Sequence, residues 1–278
     1  MSWIRGTTTL IVHLGDPIGT VKAPLVYNPY FERHGIDAAV VPMGVTAADY
    51  PVVLKALFRV ANVRGALVTM PHKVTTVALL DECSPAVKVA QSCNAILRRA
   101  DGTLFGDLFD GEGFIRGLRR KGFAFAGASC LVVGAGGVGS AIAVSLAEAG
   151  VARLALHDTN GAAAQGLAAR IARQYPRLEV RSGPPDPAEC DLAVNATPLG
   201  MSAGDPLPLD AARLAPGTFV GEVVMSEAPT PLLRAAQAKG CRIQAGADML
   251  YEQIPLYLEF FGFRSATVEE LRAVSKAV

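Results

Sequence analysis

One hexapeptide constrains this chain more than any other feature: Gly134-Ala135-Gly136-Gly137-Val138-Gly139, set between the apolar run Leu131-Val132-Val133 and the alanine-rich stretch Ser140–Ala149. A G-x-G-x-x-G sequence alone is weak evidence, because glycine turns arise for purely structural reasons. Its setting makes it specific. A strand that ends in a tight turn and runs straight into a helix presents the helix's unpaired N–H groups and positive dipole end at one point, where phosphate is attracted. In such a unit the first glycine permits the turn, the second leaves room for a pyrophosphate, and the third lets helix and strand pack closely. The next predicted strand, Leu154-Ala155-Leu156, leads to Asp158, nineteen residues beyond Gly139. That is near the separation of about 20 at which an acid accepts the ribose hydroxyls of a dinucleotide. An acid there also repels a 2′-phosphate, and Thr159–Gly166 contains no arginine to bind one. The expectation is a nicotinamide dinucleotide site that prefers NAD, with NADP possible. The bland alternative for Asp158 is a helix cap ahead of Asn160-Gly161.

Composition narrows the class further. The chain has 278 residues, 51% hydrophobic and 18% charged, with a formal net charge of +1. Acids and bases are mixed along it, and no basic tail or stripe points to a nucleic-acid partner. The opening residues lack the basic start and long apolar stretch of a secretory signal. The most apolar stretch, Val138–Leu156, is interrupted by Ser140, Ser145, Glu148, Gly150 and Arg153, so no membrane partner is expected. Cys83, Cys93, Cys130, Cys190 and Cys241 are scattered and odd in number, and His13, His34, His72 and His157 never fall four apart. This usage suits reduced thiols in a cytoplasm and argues against a disulfide frame or a metal site. No G-x-S-x-G is present, so a hydrolase elbow has no support.

Short β-branched runs alternate with Ala/Leu-rich stretches, which predicts βαβ units and a mostly parallel sheet. In a first series, Thr8–Leu14, Ala38–Pro42, Gly65–Thr69 and Cys93–Arg98 read as strands, with helices over Thr46–Val60, Val74–Leu80 and Phe114–Lys121. A second series begins at Cys130. It runs through the glycine turn, a helix over Ala162–Tyr175, strands at Leu178–Arg181, Leu192–Asn195 and Phe219–Val224, and a helix over Pro231–Lys239. The expected architecture is α/β with two domains. An N-terminal α/β substrate-binding domain covers residues 1–116 and is completed by C-terminal helices over 246–278. A Rossmann-type, doubly wound dinucleotide-binding domain covers 117–245.

Thr69-Met70-Pro71-His72-Lys73 closes the third strand of the first series. Pro71 suits the first position of a helix, which would set Lys73 at the C-terminal edge of the sheet, where open α/β folds bind ligands. Taken singly, Lys73 reads as a solvated lysine, Asn94 as a turn former and Asp110 as an N-cap. Together the motifs resemble the shikimate/quinate dehydrogenase family over nearly the whole chain. The pattern V-T-x-P-H-K matches Val68–Lys73, and A-V-N-T resembles Ser92-Cys93-Asn94-Ala95. N-T-D-G resembles Leu108-Phe109-Asp110-Gly111, and the family's glycine turn matches Gly134–Gly139. N-A-T-P-L-G-M matches Asn195–Met201 throughout, and G-x-x-M-L-x-x-Q matches Gly246, Met249, Leu250 and Gln253.

The resemblance implies an oxidoreductase acting on a secondary hydroxyl, with roles in aromatic amino acid biosynthesis or quinate metabolism. Its substrate would be a small cyclic polyol or hydroxy acid, and the chain would be a monomer or homodimer. Lys73 and Asp110 would be the catalytic pair, and Thr69, Asn94 and Gln253 would bind ring hydroxyls. Gly134, Gly136, Gly137, Val138, Gly139, Asp158, Asn195, Thr197, Pro198, Val223, Gly246 and Met249 would hold the cofactor. A lysine amine in a partly buried cleft is a suitable acceptor for the hydroxyl proton.

This sequence departs from the family at the pocket. The family's S-x-S-P, whose hydroxyls bind the substrate carboxylate, is Val21-Lys22-Ala23-Pro24 here. Either Thr20 or Lys22 replaces those donors, or the substrate has no carboxylate at this point, because a buried carboxylate without donors is expensive. Leu67 stands where the family has Asn, Phe109 where it has Thr, and Glu222-Val223-Val224-Met225 where it has D-x-x-Y. The expected pocket is more apolar and differently shaped, with weak activity on shikimate or a different cyclic alcohol. Two other readings remain: a non-catalytic dinucleotide-binding sensor derived from such an enzyme, and a folate-linked methylene dehydrogenase. The intact Lys73 and Asp110 argue against the first, and the Asn195–Met201 segment argues against the second.

Overall fold

The computed structural model of the chain describes residues 4–19, 21–226 and 228–275. The chain divides into two compact units, Met1–Phe109 with Gln253–Val278, and Asp110–Glu252. The first contains β1 (Thr9–Gly15), α1 (Pro24–Arg33), β2 (Ala38–Gly44), α2 (Tyr50–Leu57), β3 (Val63–Val68), α3 (Lys73–Thr76), β4 (Glu82–Cys83), α4 (Pro85–Ala90), β5 (Ala95–Arg98) and β6 (Leu104–Asp107). Its six strands lie in the order β2-β1-β3-β5-β6-β4.

Three of this sheet's five strand pairings are parallel, β4 with β6 among them, and two are antiparallel. β1 runs parallel to β2 and β3, whereas β5 is antiparallel to both β3 and β6. The reversal is a hairpin around Asp101-Gly102. Gly102 has φ +88°, and the Asp101 carboxylate accepts the Thr103 N–H at 2.9 Å. Asp-Gly is among the best short-range hairpin signals.

The helices are shorter than their apolar spacing suggests, for local reasons. α2 starts at Tyr50 because Pro51 suits only a first turn. The β-branched run Val74-Thr75-Thr76-Val77 has low helix propensity, so α3 stops at Thr76 and continues as a 3₁₀ turn over Val77–Leu79. Pro71 is not the first residue of that helix. It follows a cis Met70–Pro71 bond in the turn leaving β3, and His72 takes the N-cap position. α1 carries its own internal Pro29 and buries Val26, Tyr27, Tyr30 and Phe31 on one stripe. It is tied to β2 by Asn28, whose amide donates to the Val40 carbonyl and accepts the Val40 N–H at 3.0 and 2.8 Å.

The second unit contains α5 (Asp110–Arg120), β7 (Ser129–Val133), α6 (Gly137–Glu148), β8 (Arg153–His157), α7 (Gly161–Gln174), β9 (Glu179–Ser182), β10 (Leu192–Asn195), β11 (Phe219–Glu222), α8 (Pro231–Ala238) and β12 (Arg242–Gln244). All six strands are parallel, in the order β12-β11-β10-β7-β8-β9. The order reverses between β7 and β10, which is the switch point at which doubly wound sheets bind ligands. One side of this sheet buries Leu131, Val133, Ala193, Val220, Leu232 and Leu233 together. α9 (Gly246–Phe260) and α10 (Val268–Val274) follow. The start of α9 is held to α5 within the second unit by Arg120–Glu252 and by Lys121–Asp248 at 2.8 Å.

The joins fall at Phe109/Asp110 and Glu252/Gln253, outside the boundaries expected near 116 and 246. The reason is that α5 packs on α6: a Cβ on Gly111 would overlap the Ala141 carbonyl and the Ser145 hydroxyl. Among the described residues no helix is long and apolar enough to cross a membrane, and no His, Cys, Asp and Glu group is placed to hold a metal ion.

Because the obstacle to a side chain at Gly111 is helix backbone, Gly111→Ala should destabilise the protein by roughly 1–3 kcal/mol, the range for overpacking. Gly102→Asn, in a turn with open space around it, should cost much less. Chemical denaturation of the two variants checks this, and equal midpoints would contradict it.

Candidate active site

The glycine turn has the geometry that a pyrophosphate requires. Gly134 is buried with φ +107°, a conformation that side-chain-bearing residues rarely adopt. Its N–H donates to the His157 carbonyl at 2.7 Å. A Cβ on Gly139 would overlap the Gly134 carbonyl, so the start of α6 presses directly on the end of β7. Gly136, by contrast, is exposed and has nothing within 4 Å of a would-be Cβ. The space beside it is open, and the unpaired first-turn N–H groups of Gly137, Val138 and Gly139 border it. These residues fit a dinucleotide phosphate.

Asp158 lies just beyond β8 and is half-buried. One carboxylate oxygen accepts the Ala135 N–H at 2.7 Å and the other accepts the Asn160 N–H at 2.8 Å. The cap of α7 is instead Asn160, whose side chain accepts from Ala163. Asp158 is therefore a clamp on the glycine turn. A carboxylate has about four lone-pair sites, which leaves acceptor capacity for hydroxyls.

Across the switch point, Asn195 is fully buried and builds the next loop. Its Oδ1 accepts the Thr197 N–H and Oγ1 at 3.0 and 2.7 Å, and its Nδ2 donates to the Leu199 carbonyl at 2.9 Å. Thr197 Oγ1 in turn accepts the Leu199 N–H at 3.1 Å. The side chains of Asn195 and Thr197 thus hold the loop's shape, and Pro198 is exposed on it. The Val223 N–H donates to the Asn195 carbonyl at 3.2 Å. Gly246 opens α9 with its backbone against Val223 and Val224, where a Cβ would not fit, and Met249 is buried one turn later.

Glu222, the last residue of β11, is 1% exposed and accepts the Thr230 hydroxyl at 2.7 Å. Thr230 also caps α8 by accepting the Leu233 N–H. Burial pushes the Glu222 carboxyl up to about 7, with the Thr230 bond opposing the shift.

In the first unit, Thr69 leaves the end of β3 half-buried, and Lys73 opens α3 at 8% exposure. His72, the residue before Lys73, is held in place. The His72 ring stacks on Tyr50 at 4.0 Å between centroids, and its Nε2 pairs with the Val45 carbonyl at 2.8 Å. Tyr50 meets the Thr76 hydroxyl at 2.6 Å. Asn94 is 1% exposed, and its Oδ1 accepts the Phe109 N–H at 3.0 Å. The Asn94 Nδ2 and the Gln253 Oε1 are buried and have no hydrogen-bond partner among the described residues. Buried polar atoms rarely go unpaired, so two of the three residues assigned to ring hydroxyls hold unmet hydrogen-bonding capacity.

Lys22 is half-buried ahead of α1, Ala23 takes that helix's N-cap position with no side-chain bond, and Thr20 lies outside the described residues. Asp110 is the first residue of α5 and is 4% exposed, where the helix dipole favours a carboxylate. Phe109, in place of a hydroxyl-bearing residue, packs edge-on against Tyr257 and Phe260 at 5.1 and 5.3 Å. Sequence reasoning missed His13, a buried histidine in β1 on which the Lys73 charge acts. The only signal for it was one polar residue within an otherwise apolar strand.

A doubly wound unit with a glycine turn, paired with a smaller α/β unit that carries a buried lysine, defines a two-unit nicotinamide-dependent oxidoreductase. Residues 13–96 match the family model of the shikimate dehydrogenase substrate binding domain. The chain is 36% identical over 254 residues to shikimate dehydrogenase (NADP(+)) of Rubrobacter xylanophilus, covering 90% of this chain and 89% of that one. It is 35% identical to the enzyme of the same name from Acidiphilium cryptum, with 98% of both chains covered. The shikimate 5-dehydrogenase of Listeria monocytogenes, solved in complex with shikimate and NAD, superposes with a TM-score of 0.88 at 27% identity, covering 98% of this chain and 97% of that one. The chain belongs to the shikimate dehydrogenase family and is an oxidoreductase acting on CH–OH groups with a nicotinamide dinucleotide.

The state of Glu222 gives a pH signature of stability. Its carboxyl titrates near 7 in the folded chain and near 4.5 when exposed. The folded state therefore keeps a proton that the unfolded chain has released. Its contribution to stability is complete below pH 4.5, falls as pH rises toward 7, and is flat above that. Glu222→Gln keeps an acceptor for Thr230 and removes the titration. Relative to the variant, wild type should lose on the order of 2–3 kcal/mol between pH 4.5 and 8. Parallel denaturation curves across that range would contradict this.

Proposed function

We propose that this chain catalyses reversible hydride transfer between a nicotinamide dinucleotide, NAD in preference to NADP, and a secondary hydroxyl of a shikimate- or quinate-like cyclic polyol. The observation that carries the reading is the first unit's polar interior: Lys73 is buried, and among the described residues Asn94 Nδ2 and Gln253 Oε1 are buried without a hydrogen-bond partner. Such atoms suit a hydroxylated ring that makes the missing bonds. When bound, the nicotinamide supplies the acceptor or donor of the hydride. The chain's own part is to hold the alcohol in reach and to handle its proton. Lys73 and Asp110 are the residues that the family resemblance assigns to the hydroxyl proton, which is taken up as the adjacent C–H bond breaks in oxidation and returned when the ketone is reduced. Asn94, Thr69 and Gln253 fix the ring so that one face is presented, which contributes through orientation.

Asp158 supports NAD. Beyond its two backbone bonds it offers acceptors to ribose hydroxyls and negative charge to a 2′-phosphate, with no arginine in Thr159–Gly166 to offset it. The relatives named above include NADP(+) enzymes, so kcat/KM with each cofactor is the deciding comparison, and a preference for NADP would overturn this part.

The carboxylate loop sets the substrate. Val21 and Ala23 lack the two hydroxyl donors of the family pattern, and half-buried Lys22 offers a point charge in their place. Turnover of shikimate and quinate should be poor relative to cyclic polyols without a carboxylate. The double variant Val21→Ser/Ala23→Ser should raise kcat/KM for shikimate by about tenfold or more, since hydrogen bonds to a charged group are the stronger kind. Efficient wild-type use of shikimate, unchanged in the double variant, would contradict the substrate reading. For the mechanism, Lys73→Ala should lower kcat by roughly 10²–10⁴-fold while leaving the dinucleotide Kd within about twofold. Full turnover by that variant would overturn the role of Lys73, and dinucleotide binding without turnover of any polyol by wild type would favour the sensor reading.

A further inference from the structure

β1 is a buried central strand: Ile11, Val12 and Leu14 are at most 1% exposed. His13 sits among them at 9% exposure, and its Nδ1 is buried with no hydrogen-bond partner among the described residues. An unpaired buried ring nitrogen is unfavourable, and folded proteins retain few of them without a reason.

The sheet register shows what surrounds it. His13 pairs with Leu67 of β3, and residues paired in parallel strands project to the same face. Two residues further along that face, toward the C-terminal edge, come Gly15 and Thr69. The Thr69 side chain lies over Gly15, where a Cβ would collide with it. Thr69 therefore leans across the end of β1, directly beyond His13. Lys73 is also close enough to act on the imidazole. Burial, and after it the Lys73 charge, push His13 down to about 3.

We infer that the His13 imidazole is a specificity-determining contact of the substrate site, hydrogen-bonding through Nδ1 to a hydroxyl of the polyol near the end that faces Lys73 and Thr69. This rests on the polyol dehydrogenase reading above. Chemistry selects the ligand group. A neutral imidazole nitrogen is a donor in one tautomer and an acceptor in the other, and a hydroxyl meets either. A carboxylate meets only the donor form, and an ammonium group only the acceptor. Neutrality also separates His13 from proton transfer: it reads a hydroxyl and carries no proton in the reaction. At the paired position, Leu67 presents no polar atom to that face, so His13 is the polar group that these two positions offer the ring.

The test uses the full chain with its preferred nicotinamide cofactor, shikimate, quinate and carboxylate-free cyclitols, and monodeoxy analogues of whichever is turned over. His13→Val should lose roughly 10- to 100-fold in kcat/KM, mostly through KM for the polyol, with the dinucleotide Kd unchanged. His13→Asn should recover part of that loss. One monodeoxy analogue should be used equally by wild type and His13→Val, because the hydroxyl and its partner are then both missing. A merely structural histidine would lower the rate on every analogue alike, and that result, or an unchanged kcat/KM, overturns the inference even if the reaction is as proposed. A wild-type chain that turns over none of these polyols overturns the reaction itself, and the role of His13 with it.

Discussion

The contact on which the cofactor half depends is the one between Gly139 and the carbonyl of Gly134. It lets α6 begin where β7 ends, so that the helix's free N–H groups open onto the switch point of the sheet. Two further restraints fix that arrangement: the Asp158 carboxylate on the Ala135 N–H, and the Gly134 N–H on the His157 carbonyl. The same acid that would select the ribose thus also holds the phosphate loop. A change at Asp158 acts on both, and cofactor preference is difficult to separate there from the integrity of the turn.

The first unit follows the opposite logic. Its interior is well packed, with Tyr27, Tyr30, Phe31, Tyr50 and Phe261 almost inaccessible, yet Asn94 Nδ2, Gln253 Oε1 and His13 Nδ1 are left without partners among the described residues. A fold that satisfies the backbone of β2 with the side chain of Asn28 is able to satisfy such atoms, and here it does not. Hydrogen bonds are left unmade in the unit that buries Lys73. That arrangement suits a pocket that is completed by its ligand, because binding then recovers hydrogen bonds that folding left unmade.

Much of this was legible in the sequence. The apolar run Leu192–Asn195 marks its strand with the observed bounds, and the glycine turn, Asp158 and the strand-end lysine all occupy the elements that spacing assigns. The failures have physical causes. Helix α1 was hidden by Pro24 and Pro29, which local propensity counts against a helix although one begins it and the stripe of Val26, Tyr27, Tyr30 and Phe31 holds it in place. The antiparallel turn of the first sheet rests on two residues, Asp101-Gly102, a cue too short to show within the alternation of strands and helices around it. The clamp formed by Asp158 depends on a backbone N–H, which no side-chain pattern reveals. His13 needed register: a lone histidine in an apolar strand acquires meaning only when β1 is laid against β3 and Thr69 comes over its end.

The central claim is that the unpaired Asn94 Nδ2 and Gln253 Oε1 belong to a hydroxylated substrate, and the positions of hydrogen bonds in a complex test it most directly. In a high-resolution crystal structure of the chain with NAD and saturating shikimate or a cyclitol that it oxidises, ring hydroxyls should lie within hydrogen-bond distance of Asn94 Nδ2 and Gln253 Oε1, with the reacting hydroxyl at Lys73. A ring bound elsewhere, with ordered water on those two atoms, would contradict the account.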